Sequence, residues 1–168
     1  MAFHPVALSK GNALNLRYTL PSGQCFRWKQ LDDETWRGVI GKHVVTLRQK
    51  DVEKSFEFST LPETDPVAFS QLLADYFRLN SVDLDALFQQ WSTPSQQNPK
   101  EPDINLDFTR AAVHRRGLRL IRQQPFECTF SFICSQNNNI QRISGMIDRL
   151  CKVQATSFND FPATAIQR

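Results

Sequence analysis

No apolar run in the 168-residue sequence approaches the roughly eighteen residues that a membrane-spanning helix needs, which excludes a helical membrane protein. The opening stretch MAFHPVALSKGN has no apolar core long enough for a secretory signal, but no acid precedes Asp32, and a transit-peptide reading stays open. The four cysteines, Cys25, Cys128, Cys134 and Cys151, include no C-x-x-C pair and have no histidine at zinc-finger spacing. Neither a metal site nor a disulfide framework is indicated; free thiols in a reducing compartment are expected. No internal repeat is visible. With 40% hydrophobic and 22% charged residues, the composition is that of a folded protein and not a disordered tail. The length suits one domain, or a small domain with part of a second.

The net charge is only +3, but it is unevenly spread. Residues 1–50 hold eight Lys/Arg against three acids, residues 51–107 three against eleven, and residues 108–168 nine against three. Two basic ends flank an acidic middle. If the ends meet in space they make a basic face with an acidic back, the electrostatic footprint of a polyanion binder; ordinary solvated charge is the alternative.

From Ala13 to Thr60 the hydrophobic period is two: Leu14, Leu16, Tyr18, Leu20; Phe26, Trp28; Trp36, Gly38, Ile40; Val45, Leu47; Phe56, Phe58. Breaks at Pro21-Ser22-Gly23, Leu31-Asp32-Asp33 and Gly41-Lys42 divide this stretch into an antiparallel meander of about five short strands. One face of such a sheet needs a cover. After Pro62 the period becomes 3.6. Asp65 caps a helix with Pro66 at its first position and Phe69, Leu72, Leu73, Tyr76 and Phe77 on one stripe; a second helix carries Leu84, Leu87, Phe88 and Trp91. Ser92 to Pro102 reads as a loop, followed by a helix from about Ile104 to Arg116 that stops at Gly117 and a short connector, Leu118 to Arg122. Pro125 opens another helix, the run Asn137-Asn138-Asn139 breaks it, and Ile140, Ile143, Ile147, Leu150 and Cys151 form the stripe of the next. The fold class is therefore α+β, a twisted antiparallel sheet with covering helices followed by further helices.

Three places could carry chemistry. The asparagine turn offers amide donors and acceptors suited to base edges or phosphates, with Arg142 within two turns, or it is filled by Asn for backbone reasons alone. Arg110, Arg115, Arg116, Arg119 and Arg122 occur without an acid between Asp107 and Glu127; phosphate contact and a solvated helix face both account for the run. Gly23 by itself is a residue that permits a tight turn. Phe26, Arg27 and Trp28 read as sheet core and its support, and Cys25 is a poor nucleophile candidate because no basic cluster surrounds it.

The strings LPSGQCFRW at Leu20 to Trp28 and GLRLIRQQPFECTFSFICSQNNNIQRISGMIDRLC at Gly117 to Cys151 closely resemble the eukaryotic 8-oxoguanine DNA glycosylase family, as does the later Phe161-Pro162. The likeness is dense over both strings and weak across the acidic middle. Gln136 departs from the serine common there. The resemblance implies an N-terminal glycosylase domain over residues 1–122 and the start of a helix-hairpin-helix glycosylase domain over residues 123–168. It also implies base-excision repair of oxidised guanine by an N-glycosylase with AP-lyase activity. Neither a metal nor a cofactor is implied. The partner is duplex DNA carrying 8-oxoguanine opposite cytosine, the chain a monomer, and the location the nucleus, with a mitochondrial form open.

A glycosylase must flip its target base out of the stack and support the hole left behind. In the family the first asparagine of the run enters that hole and the arginine five residues later reads the abandoned cytosine, roles that fall on Asn137 and Arg142. Asn138, Asn139, Arg115 and Arg119 are candidates for supporting DNA contacts, although Asn138 and Asn139 also suit a purely turn-holding role. The family's glycine in the PSGQ turn presents its carbonyl to the N7 hydrogen that 8-oxoguanine has and guanine lacks, a role that falls on Gly23. The family's Schiff-base lysine and assisting aspartate have no counterpart here. The only glycine after Gly117 is Gly145 and the only lysine is Lys152, so the sequence is expected to end before the catalytic hairpin. The chain is thus expected to recognise but not to cut. Two other readings stay open: a non-catalytic DNA-binding module or truncated isoform, and an interaction protein whose acidic middle meets a basic partner.

Overall fold

The computed structural model describes residues 2–9, 11–52, 54–91, 100, 107, 109–112 and 114–157, the last four by backbone alone. The β-branched and aromatic alternation after Asp33 forms three long antiparallel strands, β3 (Thr35–Ile40), β4 (His43–Asp51) and β5 (Ser55–Leu61), joined by tight turns. Two short strands complete the sheet: β1 (His4–Ala7) and β2 (Lys29–Gln30), in the order β1-β5-β4-β3-β2. Trp36 pairs with Leu47 and Leu47 with Phe58, so one register aligns the apolar set of three strands on one face. On the other face Arg48 lies opposite Glu57 and donates to it from Nε and Nη2, at 2.9 and 2.6 Å.

The apolar face is covered by α2 (Pro66–Tyr76). Asp65 accepts from the Val67 and Ala68 N–H groups, and Pro66 occupies the first turn, so the start is capped as expected. Phe69, Leu73 and Phe77 come down onto Phe56, Phe58, Val45 and Leu47, all buried in one cluster. Burying each such side chain contributes about 1.5–3 kcal/mol. Gly38 has a specific reason to be glycine: a Cβ there would stand 2.5 Å from the Trp28 ring, whose Nε1 donates to the Tyr76 hydroxyl at 3.0 Å. The next helix, α3 (Leu84–Trp91), begins at Asp83, which accepts from the Ala86 N–H, but it buries no residue fully and leaves Trp91 exposed.

Two strand expectations are corrected. The run at Phe26 and Trp28 is irregular backbone, and the strand there is only the following pair, Lys29–Gln30 of β2. Leu14 to Leu20 is not a strand; Asn15 caps a single helical turn, α1 (Leu16–Thr19), through its side chain and the Tyr18 N–H. Leu16 and Leu20, four apart, share a helix face as readily as a strand face, and Thr19 is fully buried where alternation would expose it. The remaining strand is β1, whose Pro5 is tolerated because β1 lies at a sheet edge.

Of the loop at Ser92 to Pro102 only Lys100 is described, and of the helix at Ile104 to Arg116 residues 107, 109–112 and 114 are described and helical. Gly117 does stop it, at φ = +82°, where a Cβ would meet the Asn15 nitrogen at 2.8 Å. Then come α4 (Pro125–Ser135), capped by Gln124, and α5 (Ile140–Ser157). No helix among the described residues is long and apolar enough to cross a membrane.

Candidate nucleic-acid interface

The two strings singled out in the sequence meet in space. Gly23 adopts φ = +83°, a left-handed conformation that costs other residues about 1–2 kcal/mol. A Cβ built there lies 3.8 Å from Ile140 Cδ1, ordinary contact, so the backbone and not space calls for glycine. Ile140 is the first residue of α5, directly after the asparagine run, which sets the Gly23 turn against the start of α5.

The asparagines divide their work. Asn137 is in the left-handed region, φ = +46°, one of the few places where a non-glycine residue turns the chain so sharply, and its side chain is exposed. Asn138 donates to the Cys134 carbonyl at 2.9 Å and accepts from the Asn139 N–H. Asn139 accepts from the Arg142 N–H at 3.0 Å, capping α5. Asn138 and Asn139 therefore hold the turn, while Asn137 and Arg142 present exposed side chains. Among the described residues Arg142 has no carboxylate partner.

The arginine run is a different matter. Arg119 is 3% exposed; its guanidinium donates to the carbonyls of Ala13, Arg78 and Val82 at 2.8, 3.1 and 3.2 Å and to Asn12 Oδ1 at 3.2 Å. Burial pushes its pKa down, opposed by Asp85 and Asp83. The expectation that Arg119 supports DNA is corrected: its fork is spent inside the protein, tying the connector to the loops around the sheet. Arg116 pairs with Asp85 at 2.8 Å and Arg122 with Asp75 at 3.0 Å, so the acidic middle neutralises part of the run. Arg115 is exposed and stacks over the Tyr18 ring, 4.8 Å from its centroid.

Pairings that sequence reasoning did not foresee hold the two halves together, and Phe26, expected in the sheet core with Trp28, belongs instead to this junction. Phe26 packs with Ile143 and Ile147 in a second buried cluster. Arg27 pairs with Glu127 at 3.6 Å, both largely buried, and Lys29 with Asp148 at 3.2 Å, both more exposed. Gln24 spans the junction: its amide donates to the Arg119 carbonyl and accepts from the Ile121 N–H. The one signal for these was Glu127, the lone acid in a basic stretch. Cys25 lies beneath them, its thiol pushed up to about 12 first by burial and then by the Glu127 charge, as suits an unreactive thiol. Among the described residues no group of His, Cys, Asp and Glu could hold a metal ion.

The sequence profile of the family described as 8-oxoguanine DNA glycosylase, N-terminal domain, matches residues 6–129. The N-glycosylase/DNA lyase OGG1 of Arabidopsis thaliana is 34% identical over 157 residues, covering 89% of this chain and 40% of the relative. The N-glycosylase/DNA lyase of Saccharomyces cerevisiae is 32% identical over 178 residues, covering 96% and 44%. This chain thus spans about two fifths of the length of these relatives. Among solved structures, MBOgg1 in complex with a low affinity DNA ligand matches with a TM-score of 0.65 at 28% identity, covering 90% of this chain and 49% of that one. The Clostridium acetobutylicum 8-oxoguanine glycosylase/lyase, in complex with dsDNA containing cytosine opposite 8-oxoG, matches with a TM-score of 0.65 at 25% identity, again covering 90% and 49%. The fold, both sequence strings and the profile agree, and the chain belongs to the 8-oxoguanine DNA glycosylase N-terminal domain family.

Proposed function

We propose that this chain is the lesion- and opposite-base-reading portion of an 8-oxoguanine DNA N-glycosylase/AP lyase acting in base-excision repair, with duplex DNA carrying 8-oxoguanine opposite cytosine as its partner and nuclear DNA as its target. The observation that carries this reading is the approach of Ile140, at the start of α5, to the Gly23 turn, its Cδ1 lying 3.8 Å from where a Cβ on Gly23 would stand, which sets two recognition motifs from opposite ends of the sequence side by side. On this reading the Gly23 carbonyl accepts from the N7 hydrogen of the flipped lesion and faces the N7 lone pair of guanine with repulsion. Asn137 enters the vacated stack, which its left-handed backbone supports by projecting it from the turn. Arg142 meets the acceptors of the unpaired cytosine with its guanidinium fork. Residues 1–122 act as the sheet-bearing half and residues 123–168 as the beginning of the helix-hairpin-helix half.

Base release is assigned to no residue of this chain. Schiff-base chemistry needs an uncharged lysine amine beside a carboxylate in a pocket that lowers its pKa. None of Lys10, Lys29, Lys42, Lys50, Lys54, Lys100 and Lys152 matches the family's catalytic position, and Lys29 and Lys54 are paired with Asp148 and Asp51. An interaction protein with a free acidic middle is disfavoured because Asp75 and Asp85 already pair with Arg122 and Arg116.

The test is equilibrium binding to labelled duplexes followed by fluorescence anisotropy. The protein should bind an 8-oxoguanine:cytosine duplex more tightly than its guanine:cytosine counterpart, and Asn137→Ala should narrow that difference while leaving affinity for the undamaged duplex in place. Equal affinities for the two duplexes in the wild type would overturn the reading. Neither base release nor a borohydride-trapped adduct is expected; a trapped band lost on mutating one of the chain's own lysines would relocate the catalytic centre into it.

A further inference from the structure

We infer that Gln24 is a positioning residue for lesion discrimination: its side-chain amide pairs with the connector backbone as a β-strand peptide would, and so fixes the direction of the adjoining Gly23 carbonyl. The inference rests on the proposed role of Gly23 and extends it to the residue that holds that group in place.

The argument begins with the conformation. A glycine at φ = +83° has no side chain to anchor it and samples both signs of φ freely, so a carbonyl that must discriminate between two bases needs its neighbours held. Both neighbours are held. Ser22 Oγ donates to the Thr19 carbonyl at 2.8 Å, and Gln24 Nε2 donates back to Ser22 Oγ at 2.8 Å, bracketing Gly23 between two linked side chains. Gln24 then reaches across to residues two apart on the connector: Nε2 donates to the Arg119 carbonyl at 2.8 Å and Oε1 accepts from the Ile121 N–H at 2.9 Å. One carbonyl and one N–H at i and i+2 are what an adjacent strand offers, and a carboxamide reproduces both halves of the missing peptide. Gln123 Nε2 donates in return to the Gln24 carbonyl.

The connector is itself immobilised. Arg119 is tied by its guanidinium to Ala13, Arg78 and Val82, the Arg119 N–H donates to Thr19 Oγ1, and the Arg122 N–H donates to the Tyr76 carbonyl at 2.7 Å. Within a few residues the same connector becomes α4, which leads to the asparagine turn. Gln24 therefore references the Gly23 carbonyl to the same backbone that carries Asn137 and Arg142. Glutamate at this position would have nearly the same shape but would aim a second acceptor at the Arg119 carbonyl.

The experiment compares the affinity ratio for 8-oxoguanine:cytosine and guanine:cytosine duplexes in the wild type, Gln24→Glu and Gln24→Met. A residue that only stabilises the fold would lower both affinities together and keep the ratio. Positioning predicts that the ratio falls about tenfold in Gln24→Glu, the effect of one well-placed hydrogen bond. It also predicts partial recovery in mildly acidic buffer, where the carboxyl regains a proton to donate to the Arg119 carbonyl; Gln24→Met should lose the ratio with no such recovery. If Gln24→Glu does not fold, Ser22→Ala, which opens the bracket but leaves the connector bonds, should lower the ratio by a smaller factor. A wild-type ratio retained in the folded variants overturns the role of Gln24 and leaves the proposed function standing. A wild type with no preference overturns both.

Discussion

Removing the Arg119 guanidinium should unfold the protein far more readily than removing any exposed arginine, and the structure sets the size of the effect. Its Nε, Nη1 and Nη2 serve three backbone carbonyls and Asn12 Oδ1. Arg119→Ala leaves the Ala13 carbonyl buried without that donor and deprives the part-buried carbonyls of Arg78 and Val82. At about 1–3 kcal/mol for each buried group left unsatisfied, discounted because the last two share one nitrogen and water can reach them, the expected loss is about 3–5 kcal/mol. That is a large part of the ~5–15 kcal/mol by which domains are stable. Urea denaturation followed by far-UV circular dichroism measures it, with Arg115→Ala as the exposed comparison, expected to cost less than about 1 kcal/mol. A loss below about 1 kcal/mol for Arg119→Ala, together with a weaker salt dependence of DNA binding, would place Arg119 back on a phosphate-facing surface and refute the assignment.

Gly38→Ala should destabilise the sheet by about 1–3 kcal/mol, because a Cβ 2.5 Å from the Trp28 ring forces the indole and its hydrogen bond to Tyr76 to shift; an unchanged urea midpoint would show that the ring moves freely. Cys25 predicts an alkaline limb. Its thiol has a pKa of 9.0 when unperturbed and about 12 when folded, so stability is complete below pH 9 and falls between pH 9 and 12 by up to about 1.4 kcal/mol per unit. Cys25→Ala should flatten that limb relative to the wild type, and parallel limbs would contradict the burial of the thiol. Arg115→Ala should reduce the slope of log affinity against log salt by about one if Arg115 touches a phosphate, and an unchanged slope would leave it a surface residue stacked on Tyr18.

What could be read from the sequence followed the strength of the local pattern. β3, β4 and β5 were legible because Trp36, Val45, Leu47, Phe56 and Phe58 alternate between Asp- and Gly-containing turns, and α2 because Asp65-Pro66 announces its start. Leu14 to Leu20 misled because leucines four apart fit either period, and β1 was missed because four residues containing a proline carry almost no strand signal. At the interface, the asparagine turn and Arg142 stood out by their side-chain chemistry and, like Gly23, took their specific roles from family resemblance, whereas the approach of the two turns is a product of tertiary packing. Arg119 was misplaced for a related reason: a sequence shows a charge but not its burial, and the carbonyls that satisfy it come from three separate segments. The pairs Arg27 with Glu127 and Lys29 with Asp148 form only once α4 and α5 come against the Phe26–Lys29 segment.

The central claim, that the Gly23 turn and the Asn137–Arg142 turn form one DNA-reading surface, is tested most directly by opposite-base preference. Affinity should be measured for duplexes with 8-oxoguanine opposite cytosine and opposite adenine, in the wild type and in Arg142→Ala. The wild type should favour cytosine, and Arg142→Ala should lose about 1–3 kcal/mol of that preference while still favouring the damaged over the undamaged cytosine duplex, because the Gly23 turn is untouched. An Arg142→Ala protein that keeps its full preference for cytosine would contradict the account.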